Sequence, residues 1–200
     1  MLFVYSKFKR KKWLKLGPEK RLNVIIALEK KVAKMLKIQP LKIELQENDN
    51  WGCFGAFQVA IDGSKKILLN TNLLYEPRYR FHAMETIAHE TRHAYQHTLI
   101  SRDLKWYEFT ARRWKRNWGA YFSSSADNVM YNNQAIERDA QKFSIKFLKK
   151  HSYPDEEYKE TLELVKYRYE NAEIQAKKEY GMFYKFKIEK KIKDKSKRFW

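Results

Sequence analysis

The sequence contains one cysteine, Cys53, in 200 residues, so no disulfide bond can form within the chain. Zinc modules that need two or more cysteine ligands are excluded for the same reason. Any metal bound by this chain must therefore rely chiefly on histidine, aspartate or glutamate side chains.

Long hydrophobic runs are also missing. No stretch approaches the roughly 20 apolar residues that a membrane-spanning helix needs. The N-terminal sequence MLFVYSKFKRKKW has its apolar residues before its charges, and the apolar run is too short for a signal peptide. We therefore expect a cytoplasmic protein without a transmembrane segment.

Acidic residues are scarce. The chain has 24 Asp and Glu against 42 Lys and Arg, a formal net charge of +18. Such a charge favours nucleic acid, anionic membrane or acidic protein as a partner, and the alternative is a solvated basic surface. The basic residues alternate with aromatic ones in three segments: KFKRKKWLK, ARRWKRNW and KFKIEKKIKDKSKRFW. Together with an apolar share of 44%, the aromatic content of 16% is sufficient for a folded core.

The periodicity predicts one helix, three strands and then several helices. Pro18 marks the start of the first helix, and Pro40 ends it. A strand (LKIELQE) and a β-hairpin around Asp62-Gly63 follow, and then a helix from Tyr79 to Thr98. This order favours an α+β fold with a small antiparallel or mixed sheet and additional C-terminal helices. The predicted organisation is a basic segment (1–16), a central domain (17–151), a long helix packed on it (152–181) and a basic tail (182–200).

The motif HETRHAYQH, residues 89–97, suggests a metal site. His89 and His93 are four residues apart, so a helix places both imidazoles on one face, where they can bind one zinc ion. Glu90 follows the first histidine and can reach a water molecule at the metal, as a general base should. The alternative is an exposed helix whose histidines have no such role.

The other histidines fit this site less well. His82 lies about 10 Å along the helix from His89, which is too far to share an ion. A competing pair of His93 and His97 lacks a suitably placed glutamate, so we predict a structural role for His82 and a peripheral one for His97. His151 is a weak candidate for the third ligand, because it lies about 20 Å along the same helix from Glu137, the candidate that we prefer.

A catalytic zinc usually has three protein ligands, and Glu137 is the best candidate for the third. It lies in the segment YNNQAIERDAQKF and shares a helix face with Ala140, whose small side chain permits close approach to the helix of His89. Considered alone, Glu137 could equally be a solvated carboxylate. The nearby histidine motif favours the ligand.

These segments resemble the gluzincin-type zinc metallopeptidases. The resemblance rests on ILLNTNLL, TIAHETRHAYQH and NNQAIERDAQKF, between residues 67 and 148. The overall pattern is most similar to small HExxH proteins of the ImmA/IrrE kind and their relatives on phages and mobile elements. The resemblance implies a zincin-like fold with an active-site helix. It also implies His89, His93 and Glu137 as zinc ligands, Glu90 as the base, and an edge strand that holds an extended peptide.

The chain departs from this pattern at two positions. Many gluzincins have an acidic residue four positions after the ligand glutamate, but here that position is Gln141 and the nearest acid is Asp139. Arg92 replaces a glycine often found within the histidine motif. The orientation of the histidines is therefore not explained by the sequence.

The resulting prediction is zinc-dependent hydrolysis of a peptide or protein, with Glu90 as the base and one further donor for the developing oxyanion. Tyr131 and Tyr121 are the candidates for that donor, and both can equally be core tyrosines. The competing prediction is a zincin-fold protein that binds nucleic acid through its basic flanks, or a structural zinc protein without proteolytic activity. The sequence does not predict the oligomeric state.

Overall fold

The computed structural model describes residues 3–47, 53–123 and 126–196, except for the side chains of Phe3 and Ser196. Helices predominate, and the three strands form one small sheet, so the predicted α+β class is confirmed. Within the described ranges, no helix is long and apolar enough to cross a membrane. The elements are α1 (Phe3–Lys7), α2 (Arg10–Trp13), α3 (Pro18–Leu36), β1 (Lys42–Gln46), β2 (Gly55–Val59), β3 (Lys65–Asn70), α4 (Asn72–Tyr75), α5 (Arg80–Ile100), α6 (Phe109–Gly119), α7 (Asn128–Asn133), α8 (Ala135–His151), α9 (Glu156–Tyr180) and α10 (Tyr184–Ser196).

The sheet is mixed, with strand order β1-β3-β2. β1 pairs parallel to β3, and β2 pairs antiparallel to it, with Phe57 opposite Ile67. The predicted hairpin between β2 and β3 is confirmed. Gly63 has φ +80°, the left-handed conformation that the tight turn requires, and the Asp62 carboxylate accepts a hydrogen bond from the Ser64 amide.

The chain divides into two compact units, which we call unit 1 (residues 1–95 and 143–163) and unit 2 (residues 96–142 and 164–200). The divisions fall within the continuous helices α5, α8 and α9. The domain boundaries predicted from composition stay predictions.

The core of unit 1 lies around the first half of α5. Helices α3 and α5 and strand β3 contribute most of it, and the N-terminal aromatic residues Tyr5, Phe8 and Trp13 belong to the same cluster. Trp13 is fully buried, so its ring is not available to stack on nucleic-acid bases. The buried Arg80, at the start of α5, donates to the Phe8 carbonyl. The N-terminal segment thus supports the fold that presents the histidine motif.

The core of unit 2 includes the C-terminal helix. Tyr184, Ile188 and Ile192 of α10 are buried in a cluster with Ala120, Met130, Ala176 and Tyr180. Residues 184–196 of the predicted basic tail thus form a packed helix, because an apolar residue every four positions gives α10 a buried stripe. Phe183 and Phe186 are exposed, whereas Trp200 lies outside the described residues.

The helical pattern around Glu137, which runs from residue 132 to residue 150, is divided between α7 and α8 at Gln134. The Asp127 side chain caps α7 by accepting from the Met130 amide at 2.9 Å. α8 then begins where the Asn117 Oδ1 atom accepts from the Ala135 amide at 2.6 Å. Since Asn117 belongs to α6, a periodicity argument limited to residues 132–150 cannot find this helix start.

Candidate metal centre

His89 and His93 approach each other through the same ring atom. Their Nε2 atoms are 3.0 Å apart, and their ring planes are inclined at 77°. Two ligands of one tetrahedral zinc, each at about 2.0–2.1 Å, are separated by roughly 3.3 Å. The helical spacing of four residues in α5 therefore brings both imidazoles close to chelating geometry.

Helix α8 lies alongside α5 in opposite chain direction. In unit 1, the Ser144 hydroxyl donates to Glu85 Oε1 at 2.8 Å. In unit 2, the Gln96 amide donates to the Ile136 carbonyl at 2.9 Å and to Asp139 Oδ2 at 2.8 Å. Residue numbers rise along α5 while those of its α8 partners fall. Within unit 2, these contacts place the beginning of α8 beside Gln96, which belongs to the histidine motif.

Glu137, in the first turn of α8, completes a three-residue cluster. One potential ligand atom from each of His89, His93 and Glu137 lies within 4.8 Å of the others. Glu137 and Ala140 are both fully buried. Two imidazole nitrogens and one carboxylate oxygen suit zinc and also several other divalent transition metals. The side chains therefore fit a metal centre, while the identity of the metal belongs to the proposal below.

Tyr121 holds the candidate ligand carboxylate. Its hydroxyl donates to Glu137 Oε1 at 2.7 Å, and its ring centroid is 6.0 Å from that of Tyr131. The Tyr121 side chain is 40% exposed, but desolvation at its hydroxyl end, followed by the Glu137 and Tyr131 interactions, raises the pKa of Tyr121. Tyr121 consequently stays a hydrogen-bond donor at neutral pH. The structure links Tyr121 to Glu137 directly, and an oxyanion role for Tyr131 stays a prediction.

Glu90 is buried beside the cluster and contacts the sheet. Its Oε2 atom accepts a hydrogen bond from the Phe57 amide of β2 at 2.7 Å. In the sheet order β1-β3-β2, this strand is at an edge. The candidate base is thus held by the backbone of an edge strand.

Glu85 is a residue that the sequence prediction missed. Its Oε1 atom lies 3.9 Å from His89 Nδ1, the ring nitrogen opposite the one that faces His93. Metal-binding histidines commonly have a carboxylate at the second ring nitrogen, although 3.9 Å is longer than a hydrogen bond. A sequence signal existed, since Glu85 precedes His89 by four residues on the same helix face. Gln141, at the position where gluzincins often have an acid, donates to Asn132 instead.

The remaining candidates lie elsewhere. His82 packs against the Phe54 and Tyr79 rings, as a structural histidine would. His97 lies near Ser101 and the Trp118 ring, and His151 stacks on Tyr5 with ring centroids 4.3 Å apart. The Arg92 guanidinium lies over the Tyr95 and Phe143 rings, at 4.5 and 5.2 Å. Among the described residues, none of these side chains belongs to the metal cluster.

Comparisons were made with protein-family models, with curated proteins and with solved structures. None of the three found a match to this chain.

Proposed function

We propose that this protein is a zinc-dependent metallopeptidase that hydrolyses a peptide or protein substrate. The observation that supports the proposal best is the clustering of His89, His93 and Glu137 around a volume that one ion can fill. A zincin-like arrangement, with the metal ligands on α5 and α8 beside a small sheet, agrees with this proposal. The cytoplasmic location and the relation to phage or mobile-element proteins stay predictions from the sequence.

Zinc bound at this cluster would supply Lewis acidity and a lowered pKa for a water molecule. Glu90 would accept the proton of that water as it attacks the peptide carbonyl, and would then deliver it to the leaving amine. The hydrogen bond from the Phe57 amide fixes Glu90 Oε2 and so orients the carboxylate. Tyr121 would keep the Glu137 carboxylate in one orientation.

The edge of β2 supports a peptide as the substrate. Backbone bonds join Ala60 to Ser64 and Asn70 to Phe54, so the amide and carbonyl groups of Gly55, Phe57 and Val59 point away from β3. An extended peptide can add to such an edge as a further strand, through outward backbone groups other than the Phe57 amide, which already bonds Glu90. The edge lies beside Glu90, since the Phe57 amide contacts that carboxylate.

Glu90→Gln tests the proposed reaction. The variant should keep its zinc and its fold but lose about 10²–10⁴-fold in hydrolysis rate, because glutamine cannot accept the proton. Cleavage of a peptide library by the purified, zinc-loaded protein would be followed by mass spectrometry. Glu160→Gln, an exposed position on α9, is the matched control. Equal turnover by wild type and Glu90→Gln would refute the mechanism, and a zinc-loaded wild type that cleaves nothing would favour a structural metal.

Nucleic-acid binding is a second candidate function, favoured by an exposed aromatic group in unit 2. Trp106 and Phe109 are 74% and 71% exposed, and both rings lie near one another beside Tyr107. Arg112 donates to the Leu104 and Lys105 carbonyls and so fixes the segment that precedes Trp106. Exposed aromatic rings beside basic residues can stack on unpaired bases.

The structure changes which aromatic residues this second function can use. Trp114, within the predicted binding segment ARRWKRNW, is buried, and Trp118 packs near His97. They contribute to packing, so Trp106 and its neighbours replace them as the candidate stacking residues.

A further inference from the structure

Gly55 occupies a position where β2 passes very close to α5. A Cβ atom at this residue would lie 2.4 Å from Thr86 Cγ2, 3.2 Å from the Leu68 carbonyl oxygen and 3.5 Å from Glu90 Cγ. Gly55 is not among the described glycines with positive φ, so space and not backbone conformation is what requires glycine here.

Thr86 cannot readily yield to such an atom. It is buried in the middle of α5, and a β-branched side chain in a helix has little freedom at χ1. An alanine at residue 55 would therefore move β2 away from α5 or displace the side chains beneath it. The second contact of the added Cβ atom is the Leu68 carbonyl oxygen. It belongs to the backbone of β3, which is fixed by the sheet.

The same approach brings a backbone donor to Glu90. Phe57 is two residues after Gly55, and its outward amide reaches Glu90 Oε2 at 2.7 Å. A shift of β2 by an ångström would lengthen this bond beyond hydrogen-bond range. The separation of β2 from α5 thus determines whether the strand holds the carboxylate.

We propose that Gly55 is a positioning residue: its missing side chain lets β2 approach α5 at Thr86, so that the Phe57 amide fixes the Glu90 carboxylate. The effect on catalysis rests on the proposed function, in which Glu90 is the base. The effect on the Phe57 amide does not rest on it and can be measured without any substrate.

The test uses Gly55→Ala, Thr86→Ser and the double variant, since serine removes only the methyl group that the new Cβ would meet. Amide exchange followed by NMR is the first readout. In Gly55→Ala we expect at least tenfold faster exchange at Phe57, while the ladder-bonded amides of Ala56 and Gln58 stay protected. The double variant should restore protection at Phe57, and Thr86→Ser alone should leave it unchanged.

Hydrolysis by the zinc-loaded protein is the second readout. A displacement of about 1 Å at a catalytic group can cost on the order of 10²-fold in rate, so Gly55→Ala should lower kcat to that extent with its zinc retained. Thr86→Ser should rescue kcat in the double variant. Gly119→Ala is the matched control, because a Cβ there meets nothing within 4 Å.

Wild-type protection at Phe57 in Gly55→Ala, or faster exchange that Thr86→Ser does not rescue, would overturn the proposal. If Gly55→Ala does not fold, Thr86→Ile enlarges the same contact from the helix side and should also speed exchange at Phe57. If exchange at Phe57 is not faster in Thr86→Ile, the proposal is wrong. A wild type that hydrolyses nothing would count against the proposed function alone, because the exchange measurements would still decide the role of Gly55.

Discussion

At the scale of single residues, the hydroxyl of Tyr121 decides how the Glu137 carboxylate is presented. A carboxylate in a buried position can rotate and offer either oxygen, and the 2.7 Å hydrogen bond to Oε1 removes that freedom. Partners of this kind commonly contribute about 10–100-fold to metal affinity. Tyr121 and Tyr131 are neighbours with the same functional group, so they can be compared directly.

Tyr121→Phe should weaken zinc binding by about 10–100-fold, because it removes the hydrogen-bond donor to Glu137. Competition with a chromophoric chelator measures the zinc affinity. Tyr131→Phe is the control and should retain nearly wild-type affinity. Equal losses in the two variants would mean that the tyrosine pair acts as one network, and an unchanged affinity in Tyr121→Phe would contradict the role given to its hydroxyl.

His89→Ala should abolish stoichiometric zinc binding, since it removes one of the three candidate ligands found among the described residues and leaves His93 without its neighbouring imidazole. Elemental analysis of the purified protein should give one zinc per chain in the wild type and in His82→Ala, whose imidazole packs against the Phe54 and Tyr79 rings. Retention of one zinc in His89→Ala would show that the cluster is not the binding site.

Local spacing explains how much of this site could be predicted from the sequence. His89, Glu90 and His93 are fixed relative to one another by the helix, so five residues of sequence suffice. The prediction of Glu137 as the third ligand required the further assumption that a second helix approaches α5. The sequence predicted Tyr121 only as one of two candidate oxyanion donors. Its contact with Glu137 was not predicted, because that contact depends on the fold of residues 120–137.

At the scale of elements, the helix ends show the same difference between local and distant causes. α3 begins at Pro18 and ends before Lys37, which has φ +57°, so its limits follow from neighbouring residues. The beginning of α8 depends on Asn117 from another helix, and the sequence pattern missed it. α10 was missed because its high lysine content hid the stripe of Tyr184, Ile188 and Ile192.

Glu29 makes the stability of α3 depend on pH. Its Oε1 atom accepts from the Leu41 amide at 2.9 Å, while its buried Oε2 has no hydrogen-bond partner among the described residues. Burial raises the pKa of Glu29 from 4.5 to about 7. The folded state therefore retains this proton more strongly than the unfolded chain does. The resulting stabilisation is complete below pH 4.5 and is lost as the pH rises through 7.

Glu29→Gln should remove this dependence, because the amide keeps the acceptor for Leu41 without ionising. From pH 5 to pH 8, the free energy of unfolding of the variant should improve relative to wild type by roughly 2–3 kcal/mol. Urea denaturation at the two pH values measures it. Glu19→Gln, an exposed position on α3, controls for the loss of one negative charge. A constant difference between Glu29→Gln and wild type would contradict the buried, protonated state.

At the scale of the whole molecule, the net charge of +18 has no evident role in the candidate metal centre. Part of the basic surface belongs to folded helices: α10 exposes Lys185, Lys187 and Lys190 while its apolar stripe is buried. Deletion of residues 182–200 would remove that stripe and destabilise unit 2. Substitution of exposed lysines is therefore the sharper way to test what the charge binds.

We expect the protein to bind single-stranded DNA through charge and stacking without sequence preference. If about five phosphates are contacted, the logarithm of the binding constant should fall with the logarithm of the salt concentration at a slope near −3.5. Lys187→Gln with Lys190→Gln should flatten that slope by about 1.4 if both lysines contact phosphates. Trp106→Ala should instead lower affinity at every salt concentration, by about 1–3 kcal/mol, and leave the slope unchanged, because stacking releases no counterions.

Fluorescence titrations at several salt concentrations measure both effects, with Lys30→Gln plus Lys34→Gln on α3 as the charge-matched control. Zinc content should stay at the wild-type level in all these variants, since none of them touches the cluster of His89, His93 and Glu137. Duplex DNA lacks unpaired bases, so it should bind with a similar dependence on the lysines but without the contribution of Trp106.

Anionic liposomes provide the competing partner, because exposed tryptophan and lysine also favour a membrane surface. Binding to liposomes alone would transfer this surface from nucleic acid to membrane, and no binding to any polyanion at low salt would leave the charge as a solvated surface.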